Sequence, residues 1–200
     1  VIEVPRSPRL TATTDGVLRR RRIKQDGTPE CVPFLPHEFP SRQSDLGLLD
    51  YSAMSVAGAS LDDLDPLERA RLRQMIERYG GDRSLLDLDD EAMDGALGLT
   101  GREQGERKPT VLGLLLIGRE ADLRIHVPAH EIAFQVLEGE EIRLNEFWRA
   151  PLLKAFELIE TYCQSQNLER EFQAGLFRVP VPRVDRRAFR EAVCNALTHR

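Results

Sequence analysis

Thr110-Val111-Leu112-Gly113-Leu114-Leu115-Leu116-Ile117-Gly118 contains the longest apolar run of the chain, and how it is assigned decides the arrangement of everything around it. Seven apolar positions between a threonine and a glycine suit a strand buried on both faces or a short buried helix, and periodicity alone does not separate the two. Upstream, Asp65-Pro66-Leu67-Glu68 is a helix start. Asp caps, Pro suits the first helical position, and Glu68 closes a box-like pattern. Leu72, Met75, Ile76 and Tyr79 form the apolar face of that helix, which Gly80-Gly81 ends. A second short helix is expected over Asp89–Leu97, and the polar stretch Thr100–Pro109 reads as a mobile loop. Downstream, Glu131–Leu137 and Glu141–Leu144 read as a hairpin through Glu138-Gly139-Glu140. Trp148, Leu152, Phe156, Ile159 and Cys163, spaced by three or four, predict a long helix begun or kinked by Pro151. Leu176–Val181 is a further strand, and Asp185 caps a last helix. The fold class is therefore α+β.

The amino-terminal part reads as β-structure. Val1–Val4 is a short strand broken by Pro5, and Val17–Lys24 pairs across Gln25-Asp26-Gly27-Thr28 with Cys31–Phe34. Pro33–Ser44 reads as a linker or surface loop, and residues 50 to 58 as another short strand. The net charge is −5, but Arg6, Arg9, Arg19, Arg20, Arg21, Arg22 and Lys24 face only Asp15 within residues 6 to 24. On a strand, Arg19 and Arg21 share one face while Arg20 and Arg22 share the other. Either set can contact nucleic-acid phosphates without reading bases, so Arg19, Arg20, Arg21, Arg22 and Lys24 are the candidate DNA-contacting residues. The alternative is a charged edge strand that discourages aggregation.

Several classes are excluded or disfavoured. No apolar run approaches the roughly 18 residues of a membrane span, and no signal peptide is visible. Cys31, Cys163 and Cys194 are far apart and without CxxC spacing, which argues against disulfides or zinc and for a reducing, cytoplasmic setting. No P-loop and no nucleophile elbow occurs. His126 and His130 flank Pro128, which disfavours a shared metal.

The terminal helix carries the sharpest pattern. Ala188, Ala192 and Ala196 form one apolar row and Phe189, Val193 and Leu197 the next, with Glu191, Asn195 and His199 as a polar stripe. An amide one turn from a carboxylate suits a magnesium-nucleotide site, although that spacing also occurs on ordinary solvated faces. The stretch Arg190-Glu191-Ala192-Val193-Cys194-Asn195-Ala196-Leu197-Thr198-His199-Arg200 resembles the "REALxNALxHRDY" segment of RecG-related transcriptional regulators. That family joins a Schlafen AlbA-type DNA-binding domain to an ATPase domain of the gyrase and histidine-kinase (GHKL) type. Val1-Ile2-Glu3-Val4-Pro5 with Asp15-Gly16 and Arg20-Arg21-Arg22, Thr110–Gly118, and Phe177-Arg178-Val179-Pro180 resemble further segments of the family. The resemblance favours helix for Thr110–Gly118.

The resemblance implies three regions: residues 1–36 as the end of the AlbA-type domain, 45–182 as a mixed α/β middle domain, and 183–200 as the N-box helix that opens the ATPase. It implies that Asn195 ligates Mg²⁺ on bound ATP and that Glu191 is the candidate general base, in the full-length parent only. His199 and Arg200 match the family's "HR" pair. The front of the AlbA-type domain and the ATPase's adenine-binding and lid motifs are not in these 200 residues. Both ends accordingly read as cuts, and no cofactor is expected on the fragment alone. The expected function is a fragment of a DNA-binding regulator coupled to an ATP-binding domain, with a possible homo-oligomer and no membrane partner. Two alternatives stand beside it: an interaction or oligomerisation module without nucleic-acid binding, drawn from the acidic 62–94 segment, and a part of a DNA-dependent ATPase or helicase-related enzyme.

Overall fold

A computed structural model of the chain describes residues 7, 9–167, 169–174 and 177–198, and its helices and antiparallel strands make an α+β protein. The strand expected at Val1–Val4 lies outside the described residues. Contacts group the chain into two compact units, Val1–Ser52 and Ala53–Arg200.

In the first unit, β1 (Arg19–Ile23) and β2 (Pro29–Pro33) form the expected hairpin, with Arg22 opposite Glu30 and Ile23 opposite Pro29. The turn closes because the Asp26 carboxylate accepts from both the Thr28 amide (2.9 Å) and its hydroxyl (2.6 Å), while Gly27 takes a positive φ of 81°. The expected linker over Pro33–Ser44 is instead helical. A 3₁₀ turn at Pro36–Glu38 leads into α1 (Phe39–Asp45). The prolines that argued for a loop stand at the first positions of these helices, where a missing N–H costs nothing. Glu38 reaches back to the Leu35 amide at 2.8 Å, and Phe34 meets Phe39 edge to face at 5.2 Å.

The second unit begins without the strand expected over 50–58. Turns fill this stretch, and a single bridge joins Ser55 to Thr110. There is no longer run of partner backbone, so two flanking bonds, Val56 N to Pro109 O and Met54 O to Val111 N, complete the contact. The helix α2 (Pro66–Tyr79) follows as its signals predict. Asp65 accepts from Leu67 N at 2.8 Å, and Gly80 takes the left-handed conformation at the other end. Glu68 turns to the Arg71 guanidinium, so the box-like pattern at Asp65 is not what holds it. The helix α3 (Asp90–Ala96) is capped by Asp89.

The stretch read as a loop, Thr100–Pro109, is a tight hairpin of β3 (Thr100–Glu103) and β4 (Glu106–Pro109). Its strands are four residues each and polar, so no alternation betrays them; Gln104 and Gly105 supply the two positive φ angles of the turn. The apolar run then becomes α4 (Val111–Ile117). Thr110 decides this locally: its hydroxyl accepts from Gly113 N at 3.0 Å and donates to Gly98 O at 2.7 Å. Gly113 is required because a Cβ there would lie 2.0 Å from Leu99 O. A further helix that the sequence reading missed, α5 (Glu120–His126), follows. Ala59, Leu64, Leu72, Met93, Leu99, Leu114, Ile117 and Leu123 bury one core among these helices.

The remainder builds a second core. The strands β5 (Ile132–Glu138) and β6 (Glu141–Trp148) pair with a register shift at Val136/Leu137. Trp148, expected on the helix, ends β6. The helix α6 (Leu152–Gln166) starts only after Pro151, which serves as its cap residue. Trp148 still packs inward, its ring 6.1 Å from Phe134 and 5.8 Å from Tyr162. An unforeseen strand β7 (Glu169–Ala174) pairs with β8 (Phe177–Pro182). Finally α7 (Arg186–Thr198) starts where Asp185 accepts from Ala188 N at 2.8 Å. Of its two apolar rows, Phe189, Val193 and Leu197 pack with Ile132, Ala155 and Ile159, whereas Ala188, Ala192 and Ala196 are exposed. Among the described residues no helix is long and apolar enough to cross a membrane.

Candidate nucleic-acid interface

All five residues of β1 are exposed, so four consecutive arginines reach solvent, and what each does depends on its neighbours. Strand alternation sends Arg20 and Arg22 to one face, and both are ion-paired there. Arg20 meets Glu38 at 2.7 Å, and Arg22 meets its cross-strand partner Glu30 at 2.6 Å. Arg19 and Arg21, on the other face, make no ion pair among the described residues. This is the split the alternation predicts, with an added asymmetry that came from the helical turn at Glu38.

A cavity of about 680 Å³ opens beside the hairpin. Its charged lining is Arg9, Arg19, Arg20, Arg21 and Arg42, with Glu38, Asp45 and the ring of His37. Asp45 is 3.8 Å from Arg42. Five arginines against two carboxylic residues make the lining net positive, which focuses field toward an anion. Of the sequence-predicted set, Arg19, Arg20 and Arg21 come together here. Arg22 is engaged with Glu30, and Lys24 stands at the turn, where its amide closes the hairpin on Thr28 O at 2.9 Å. Arg42 was missed because the stretch that carries it read as a loop.

The second predicted site lies on α7. Glu191 and Asn195 are exposed and one turn apart, away from the row that packs on α6. Burial first and the Glu191 charge second push the Cys194 thiol up from its ordinary range, against a smaller opposite pull from Arg190. On this open face the Asn195 amide oxygen is the atom that could ligate a magnesium-nucleotide, with phosphate and water as the other ligands, and the Glu191 carboxylate stands one turn away as a candidate base. His199 and Arg200 lie outside the described residues. Elsewhere among the described residues no group of three or more His, Cys, Asp or Glu side chains could hold a metal. His126 instead meets Asp63 at 3.2 Å, and buried His130 bonds Ala150 O at 2.7 Å. The three cysteines are free.

Comparison with known proteins adds the following. Residues 42–133 match the model of a domain of unknown function (DUF8451). The match runs from α1 to the start of β5 and covers the first helical core. Among solved structures, the DIP2311 protein from Corynebacterium diphtheriae is similar, with a TM-score of 0.57 at 22 % identity over 94 % of this chain. At that identity the likeness concerns the fold. The chain spans about a third of that protein's length, 34 %. No curated protein matches the sequence.

Proposed function

We propose that this chain is part of a DNA-binding transcriptional regulator of the RecG-related kind, whose duplex contact is made by the basic hairpin and whose α7 begins an ATP-binding domain. One observation supports it above the others: Arg19 and Arg21 have no carboxylate partner among the described residues and stand beside a concave surface that Arg9, Arg20 and Arg42 also line. Leaving two unpaired keeps a phosphate-contacting pair available. Exposed Glu191 and Asn195 support the nucleotide half, in which Asn195 would ligate Mg²⁺ and Glu191 would act as general base.

The test is duplex binding by fluorescence anisotropy across a salt series. Phosphate contacts predict that log affinity falls linearly with log salt, with a slope of about −0.9 per phosphate neutralised. Binding that is weak and indifferent to salt, or unchanged in Arg19→Glu/Arg21→Glu, would refute the reading and leave an interaction module as the better one. ATP coupling is tested in the parent protein by whether MgATP shifts duplex affinity and whether Asn195→Ala abolishes the shift.

A further inference from the structure

A second basic cleft lies in the other unit, built by side chains from three helices. Arg78 and Tyr79 end α2, Glu160 lies on α6, and Arg186, Arg187 and Arg190 stand at the start of α7; together they line a cavity of about 300 Å³. Glu160 organises it. Its carboxylate accepts from the Tyr79 hydroxyl at 2.9 Å, and Arg186 and Arg78 approach it at 3.4 and 3.8 Å. The Arg190 guanidinium sits 5.0 Å from the centre of the Tyr79 ring, and that of Arg78 sits 5.3 Å away. Arg187 makes no ion pair among the described residues. The cleft is thus lined by four arginines and one glutamate, of which only Arg78 and Arg186 approach the carboxylate, and this leaves an excess of three positive charges around a space large enough for a small anion.

This is an expensive arrangement unless something negative enters it. Like charges gathered around one cavity repel. Two of them, Arg186 and Arg187, are also the first residues of α7, where the helix dipole favours acidic side chains and penalises cations. The one acid at that end, Asp185, already caps Ala188 N. Glu160 and the Tyr79 ring offset part of that cost for Arg78, Arg186 and Arg190, but Arg187 has no such contact among the described residues, and a local rule broken without a compensating contact is expected at a functional site. Arg78 and Arg186 remain more than half exposed, at 55 % and 66 %, so a ligand can reach them. Glu191 and Asn195 do not line the cleft, which separates it from the magnesium-nucleotide pair.

We propose that the cleft between α2, α6 and α7 is a binding site for phosphate groups, held by Arg78, Arg186, Arg187 and Arg190 with Tyr79 as the floor. Planar guanidinium forks match phosphate oxygens two at a time, and several forks converging from different helices select an anion with several oxygens over chloride. The phosphates come either from a free oligophosphate or from a nucleic-acid backbone. The site does not depend on the hairpin.

The experiment is titration calorimetry of the 200-residue chain with sodium tripolyphosphate, run beside anisotropy with a short duplex. The variants are Arg187→Glu/Arg190→Glu, Glu160→Gln, Arg19→Glu/Arg21→Glu, which changes the net charge by as much as the first pair, and the single-site control Arg124→Glu, an exposed position outside the cleft. Tripolyphosphate binding that Arg187→Glu/Arg190→Glu weakens by about tenfold or more, and that Glu160→Gln strengthens, establishes the site with a free oligophosphate as ligand. Duplex binding alone, weakened by that pair but not by the control, establishes it with the nucleic-acid backbone as source. If the charge reversal unfolds α7, the gain expected from Glu160→Gln still decides. If neither ligand responds to the cleft variants beyond the effect of Arg124→Glu, the proposal is overturned. Loss only in Arg19→Glu/Arg21→Glu would uphold the hairpin and reject the cleft.

Discussion

The helix α2 and the strand β1 carry four arginines each, yet these do opposite work. On α2 nearly every guanidinium is spent within the fold. Arg69 makes a bidentate pair with Asp94, at 3.1 and 2.8 Å, and both side chains are almost fully buried. Arg71 bridges Glu68 and Glu157, the latter at 2.7 Å, and Arg73 donates to Leu86 O, Leu88 O and Asp90. On β1 only alternate arginines find carboxylates. The difference is one of supply: α2 meets the acidic 82–94 segment and α6, whereas among the described residues β1 pairs with Glu30 and Glu38 alone. Within the acidic stretch, Glu68 and Asp94 are buried against arginines, while Asp90 and Glu91 pair with Arg73 and Arg107 at the exposed surface. Charge runs in a sequence acquire meaning only once their partners have been counted.

That comparison is broken most severely at Asp94. Asp94→Ala removes both charge-assisted bonds of the Arg69 guanidinium and leaves it Asp90 alone among the described residues, at 3.7 Å, and urea unfolding should register a loss of about 1.5–3 kcal/mol. A loss below 1 kcal/mol would mean that the pair is no more than a surface contact. Next in size, Arg73→Ala removes the donor to two backbone carbonyls that hold the 83–88 turn, and the same assay should show a loss of about 1–2 kcal/mol.

The third prediction reverses the sign of the contrast. Arg19→Glu/Arg21→Glu should leave stability within about 0.5 kcal/mol, because nothing in the fold depends on those side chains. Duplex affinity should nevertheless fall about tenfold or more, with a salt slope shallower by about two. The smallest effect is at Tyr79. Burial first, then the bond and charge of Glu160, raise its hydroxyl above the ordinary value of 10.0, against smaller pulls from Arg78 and Arg190. A raised value means the folded state holds the proton more tightly. The contribution is whole below the unfolded value and is lost as pH rises through the folded one. Tyr79→Phe should therefore flatten the alkaline decline of the melting temperature while costing about 0.5–1.5 kcal/mol at neutral pH from the lost bond to Glu160.

Much of this fold could be read from residues whose signals are local. Asp65-Pro66, Asp89 and Asp185 each mark a helix start by what a carboxylate can accept from the next turn, and Asp26-Gly27 marks a hairpin by the angles glycine permits. What escaped reading were elements defined by tertiary partners. The β3–β4 hairpin is too short and polar to alternate, and β7 became visible only beside β8. Trp148 satisfied a helical spacing while belonging to a strand, because a residue just before a helix can face the same core as the helix itself. The assignment of Val111–Ile117 came from resemblance, and the structure supplies the missing physical reason in the Thr110 hydroxyl. At the candidate sites the sequence placed Arg19 and Arg21 on one face. It could not show that Glu38 would neutralise Arg20, nor bring Arg78 to Arg190.

The four strand pairs, β1–β2, β3–β4, β5–β6 and β7–β8, are each a separate two-stranded ladder between neighbours in the chain. Among the described residues no strand waits for a partner from a distant part of the sequence, so each ribbon can zip as soon as its own turn forms, on the order of microseconds. Ordering the whole then rests on the helical cores and on two single bridges, Ser55 to Thr110 and Leu64 to Gly118, which clamp the ends of α4. Amide hydrogens in the ribbons should exchange in four separate groups through local opening, while those of α4 persist to the global limit.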